Sequence, residues 1–186
     1  MPSMQPPTPM QASLFSNMRE AWTRHAYWTR MLLISIAERL GDQSAVTARL
    51  LQSPKDIANL FAAYYGAEAT DAMERLLTEH LKTGANLITA LRDGQSALAS
   101  AFKEQWYANA GRIAETLSGV NPFYRRDATR DMFCRYLDLT AQEVSARLVG
   151  NFAADIQAFD QVERDAMAMA DDFTGGIMRQ FPQRFR

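Results

Sequence analysis

Apolar residues recur along this chain every three to four positions, and glycine and proline mark where that rhythm stops. From Ser13 to about Leu40, the residues Phe15, Met18, Trp22, Thr29, Leu33, Ile36 and Leu40 fall near one line of a helix. His25 lies inside the same stripe. A period near 3.6, rather than the alternation of a half-buried strand, restricts the chain to helices that bury one face each.

The breaks divide the rest. Gly41-Asp42 predicts the end of the first helix, with Asp42 capping a short one to Leu51. Ser53, Pro54 and Asp56 make a helix start, and Tyr65-Gly66 predicts a bend or interruption of that helix. A long amphipathic segment runs from about Ala67 to Leu91, with Met73, Leu76, Leu77, His80, Gly84, Leu87, Ile88 and Leu91 facing inward. Asp93-Gly94 closes it. Further helices are expected over about Ala97–Leu117, over Arg126–Leu137, over a short piece opened by a capping box at Thr140 and Glu143, and from Phe152 to about Met178.

Several short strings recur in order. Trp22 is echoed by Trp106, VTARL at 46–50 by VSARL at 144–148, Thr29-Arg30 by Thr129-Arg130, and Asp56-Ile57 by Asp155-Ile156. The reading is an internally duplicated helical hairpin, with halves at about 14–93 and 96–182. Neither half can bury its stripe alone, so the expected fold is all-α: a four-long-helix bundle with short connecting helices and pseudo-twofold symmetry. Residues 1–12, rich in proline, are expected to be a disordered tail, residues 13–182 a single domain, and 183–186 a short basic tail.

Composition removes several functions. Twenty basic residues against 21 acidic ones leave a net charge of −1. That lacks the cationic field of a nucleic-acid or anionic-membrane binder. The stretch LTAQEVSARLVGNF imitates a helix-turn-helix, but the helix after it is acidic, so DNA binding is rejected. One cysteine, Cys134, excludes an internal disulfide and Cys-rich metal sites. No apolar run reaches membrane-span length and no secretory leader is seen, so a cytoplasmic location is expected.

Polar groups set inside apolar stripes are the candidates for chemistry. His25 and Asn109 stand at echoed positions, three residues after Trp22 and Trp106, and His80 and Asp171 lie on the closing helices of the two halves. With Glu79 near the same face, His25, His80, Asn109, Asp171 and Glu79 form a candidate metal-ligand set, since bundles hold metals on facing helices and imidazole with carboxylate suits a divalent ion. The alternative, a buried hydrogen-bond network, is preferred, because two histidines are few and no paired Glu-x-x-His is present. Tyr27, Tyr64 and Tyr65 are candidates for a small-molecule pocket, and no catalytic residue is assigned.

WTRHAYWTR, LLTEHL, KEQWYANAGRIAETLSGVNP, LDLT and MADDFTGGIMRQFP resemble the motifs of a family of short, all-helical bacterial proteins, and the likeness covers nearly everything after Ser13. Its pattern is WxxHxxWTR, a histidine in LLxxHL, WYANA, and an ending like MAD–GI–QFP. Members are often called acetylglutamate kinase or glycosyltransferase. This chain has neither a Gly-rich phosphate loop nor the strand–helix alternation of a nucleotide fold. The resemblance implies that His25, His80, Asn109 and Asp171 are motif positions, and that a histidine often stands where this chain has Tyr136.

Two functions emerge as expectations. The first is a non-enzymatic binding or interaction module that leaves open a homodimer through an exposed aromatic face. The second is a metal- or small-ligand-binding bundle, conceivably an enzyme, centred on His25 and His80, for which a divalent metal would be the cofactor.

Overall fold

The computed structural model describes residues 7–186. The helices are α1 (Pro9–Ala37), α2 (Gln43–Leu50), α3 (Ser53–Arg92), α4 (Ser96–Val120), α5 (Arg126–Leu148) and α6 (Phe152–Gln180), followed by a 3₁₀ turn at Pro182–Phe185. Among the described residues there is no strand, and the all-α bundle expected from periodicity is the fold.

Local chemistry explains the boundaries. α1 starts earlier than expected, because Thr8 and Gln11 form a capping box ahead of Pro9: the Gln11 amide donates to Thr8 Oγ1 and the Thr8 amide to Gln11 Oε1 at 2.8 Å. The tail expected over 1–12 is therefore helical from Pro9 on; its first six residues lie outside the described ones. α1 also ends earlier, before Gly41. Arg39 takes a left-handed φ of 53°, and the Leu40 and Arg39 amides reach back to the Ser35 and Ile36 carbonyls. That is a Schellman closure, repeated with glycine at Gly94 and Gly150. It leaves Leu40 exposed, contrary to its place in the stripe, and Leu91 is exposed at the matching end of α3.

The bend at Gly66 is present. Its φ of 76° and ψ of 179° break α3 into two helical runs in a region open only to glycine. The capping box at Thr140 does not start a helix. Thr140 Oγ1 instead donates to the Tyr136 carbonyl within a continuous α5, and the Glu143 carboxylate is drawn toward Arg30 on α1. A side chain with a stronger distant partner has no reason to cap. Five long helices result instead of four.

Those five close into a ring in which α1 packs on α3, α3 on α4, α4 on α5, α5 on α6, and α6 on α1. Short α2 lies against α1. One core cluster is centred on Phe173, whose ring lies 5.4 Å from that of Trp22, 5.8 Å from Phe61, 5.7 Å from Tyr124 and 6.2 Å from Phe133. A second, aliphatic cluster joins Leu32, Leu33, Ile36, Leu50, Leu81, Ile88 and Val144. The 183–186 segment is not a free tail: Phe185 is buried and Arg184 donates to the Ala63 carbonyl at 2.5 Å.

An internal duplication is not confirmed by this arrangement. α1 packs directly on α3, whereas α5 stands between α4 and α6. VTARL lies on the eight-residue α2 and VSARL at the end of the 23-residue α5. Trp22 rests against Phe133 and Phe173, and Trp106 against His80 and Gly84. What the two indoles share is a neighbouring histidine.

Candidate functional site: a small cavity at the seam of two clusters

Between the aromatic and aliphatic clusters lies a cavity of about 30 Å³. Its walls are Leu32, Leu50, Leu81 and Ile88 on the aliphatic side and Trp106 and Tyr136 on the aromatic side, with His25, Thr29, His80 and Thr140 among them. Three helices each contribute a pair at i, i+4: His25 and Thr29 from α1, His80 and Gly84 from α3, Tyr136 and Thr140 from α5. That spacing puts both members of each pair on one face. Gly84 is small for a reason. A Cβ there would stand 3.3 Å from three atoms of the Trp106 indole, so glycine lets the ring lie against α3.

The two histidines are both buried, and both face this cavity. His80 is fixed by Asn109. The Asn109 Nδ2 donates to the Leu76 carbonyl at 3.1 Å, which turns its Oδ1 toward His80 Nδ1 at 2.9 Å. An amide oxygen only accepts, so the imidazole must carry its proton on Nδ1 and keep the lone pair on Nε2. His25 has no such partner. Its ring lies 5.6 Å from Trp22 and 6.3 Å from Tyr136, and its Nδ1 bonds to no protein group. Burial, with the nearby charge of His80 adding to it, pushes His25 down to about 3. Burial takes His80 down to about 4 against the opposing pull of the Asn109 hydrogen bond and Glu79. Both imidazoles are neutral at physiological pH.

Further polar atoms around the same space lack a protein partner: Thr29 Oγ1, Trp106 Nε1 and Tyr136 Oη. Burial raises the Tyr136 phenol well above the usual tyrosine range, with Glu143 adding to the effect. A buried hydroxyl or N–H without a partner costs about 1–3 kcal/mol. Four such groups round one cavity is a cost that an apolar lining would not carry.

The remaining predicted ligands are elsewhere. Asp171 is on the surface, bidentate to Arg19 at 2.6 Å, and Glu79 is half-exposed in an ion pair with Arg112. The five-residue set therefore reduces to His25, His80 and the Asn109 that positions the latter. Among the described residues, no three of His, Cys, Asp or Glu gather as metal ligands. Tyr64 and Tyr65 pack with Phe181 rather than frame a cavity, and Tyr27 is exposed with its hydroxyl on Glu163 at 2.6 Å. Thr29, Tyr136 and Thr140 went unselected as ligands from sequence; the i, i+4 spacing of Thr29 to His25 and of Thr140 to Tyr136 was the signal that could have found them.

Next to the cavity lies an ion cluster whose carboxylates are buried and whose arginines are half-buried. Arg30 Nη1 donates to Glu143 Oε1 at 2.5 Å and to Asp155 Oδ1 at 2.8 Å, and Arg147 Nη1 donates to Asp155 Oδ2 at 3.2 Å. Asp155, in the first turn of α6, is fully enclosed. Burial outweighs the Arg30 guanidinium and lifts Glu143 to about 7. The cluster ties α1, α5 and α6 together beside Thr29 and Thr140, and so braces the wall of the cavity.

No described helix is long and apolar enough to cross a membrane. Compared with known protein families, curated proteins and solved structures, the chain matches none.

Proposed function

We propose that this protein is a binding bundle whose occupant sits inside the ring, in the cavity walled by His25, Thr29, His80, Trp106, Tyr136 and Thr140. The observation that carries the reading is that four residues lining one small space each carry a buried polar atom with no protein partner: His25 Nδ1, Thr29 Oγ1, Trp106 Nε1 and Tyr136 Oη. Size sets the class of ligand. A single water needs roughly 10–15 Å³ on this measure, so about 30 Å³ admits a species of very few heavy atoms and no metabolite of ordinary size. The lining offers donors from indole and hydroxyls and acceptors from neutral imidazoles, which suits a small polar guest. No nucleophile is paired with a base there, and the binding reading stands without a catalytic step.

Native mass spectrometry of untagged protein, compared with its denatured mass, tests this reading, together with melting temperatures of Thr29→Val and Tyr136→Phe. An occupied site gives added mass in the folded state, and each variant holds the guest more weakly and melts lower by the equivalent of about 1–3 kcal/mol. No added mass, with variants that melt at or above wild type, overturns the proposal.

A further inference from the structure

We propose that the occupant is a divalent first-row transition-metal ion held by His25, His80 and the phenolate of Tyr136; this rests on the binding reading above. The argument begins with Asn109. By presenting Oδ1 to His80 Nδ1 while its own amide is pinned on the Leu76 carbonyl, it fixes both tautomer and ring orientation, leaving Nε2 as a bare lone pair. That is the outer-shell arrangement by which carbonyl-type oxygens aim metal-binding histidines. A buried hydrogen bond alone would satisfy Nδ1; what singles the site out is that it leaves Nε2 without a partner beside other unpartnered donors. His25, 4 % exposed, supplies a second imidazole with no protein partner on Nδ1. Tyr136, 3 % exposed, supplies a hydroxyl with none.

These three side chains come from α1, α3 and α5, three different helices of the ring. Two nitrogens and one oxygen match the preference of zinc, copper or nickel for imidazole with an oxygen donor. An ion with one bound water is also of the size that about 30 Å³ accommodates. Thr29 Oγ1 and Trp106 Nε1 line the same space, the hydroxyl able to accept from that water and the indole N–H to donate to its oxygen. Binding replaces the O–H bond of Tyr136 with an O–metal bond and releases that proton to solvent. Two neutral imidazoles and one phenolate then leave the bound ion a net charge of +1. The leucine and isoleucine walls exclude competing water.

The test is calorimetric titration of Zn²⁺ or Cu²⁺ into chelator-treated, untagged protein, in buffers of differing ionisation enthalpy. We expect one ion per chain with about one proton released. His25→Gln and His80→Gln each lose binding by more than 100-fold. Tyr136→Phe weakens binding and abolishes the proton release. Asn109→Leu loses about 10–100-fold, whereas Asn109→Asp, which keeps an acceptor for His80, binds within a few-fold of wild type. If Asn109→Leu fails to fold, the Asn109→Asp and histidine variants still decide. Uptake unchanged in His25→Gln and His80→Gln overturns the metal site. So does a folded-state added mass that survives the chelator and is no metal, which leaves the binding reading intact. No uptake and no added mass overturn both.

Discussion

At the scale of single residues, close approaches decide where substitution is tolerated. Tyr124 donates its hydroxyl to the Phe173 carbonyl at 2.6 Å, and its ring lies over Gly176 so closely that a Cβ there would meet Tyr124 carbon at 2.0 Å. Neither the ring nor α6 has room to move. Gly176→Ala is expected to destabilise by about 3 kcal/mol in urea unfolding, and Tyr124→Leu in the same chain to recover part of it by removing the clash. Gly175, its neighbour, meets nothing within 4 Å, so Gly175→Ala is the control and should be neutral or stabilising. Residue identity foretold none of this difference. The two glycines are adjacent in sequence and differ only in what the fold brings over them.

At the scale of elements, backbone geometry separates two further glycines. Gly66 adopts φ 76° in the kink of α3, with open space where a Cβ would go. Gly66→Ala therefore incurs only conformational strain, expected at about 1–3 kcal/mol by chemical denaturation. Gly111, inside α4 and equally uncrowded, is helical; Gly111→Ala should raise stability by about 0.5–1 kcal/mol. The bend was legible because glycine beside a tyrosine pair in a periodic run is a local signal. The continuity of α5 was not. Its capping-box residues are sound local chemistry, and they were overruled by Arg30, 113 positions from Glu143 in the chain. An ion pair across that separation leaves no mark on the residues near either partner.

At the scale of the molecule, three buried titrating groups set the response to acid. In chelator-treated protein, His25 and His80 stay neutral when folded until about pH 3 and 4, but take up protons near pH 6.5 when unfolded. Between those limits the unfolded chain binds up to two more protons, so both contribute stability above pH 6.5 that is lost on acidification. Glu143 acts with the opposite sign. Protonated up to about pH 7 when folded and to about 4.5 when unfolded, it binds its proton in the native state and offsets one histidine. The net expectation is stability nearly level above pH 7 and falling by on the order of 1 kcal/mol per pH unit between about pH 6 and 5. Glu143→Gln should steepen that fall to roughly twice the slope, as measured by denaturation midpoints across the range. The ion cluster should tolerate little. Asp155→Ala leaves Arg30 and Arg147, both half-buried, with only Glu143 and Glu38 as partners, and a loss of about 1–3 kcal/mol is expected in the same assay.

The all-helical character, the break at Gly66, the stop at Gly94, and the burial of His25, His80 and Asn109 were all written in the chain's order of residues. Each rests on free energies that act within a turn or two: apolar period, left-handed glycine, cap. The ring of five, the surface fate of Glu79 and Asp171, and the meeting of His25, His80, Thr29 and Tyr136 round one cavity came from packing alone. Those contacts join residues dozens of positions apart, and their energies depend on which helix faces which, a choice made collectively by every buried side chain in the core.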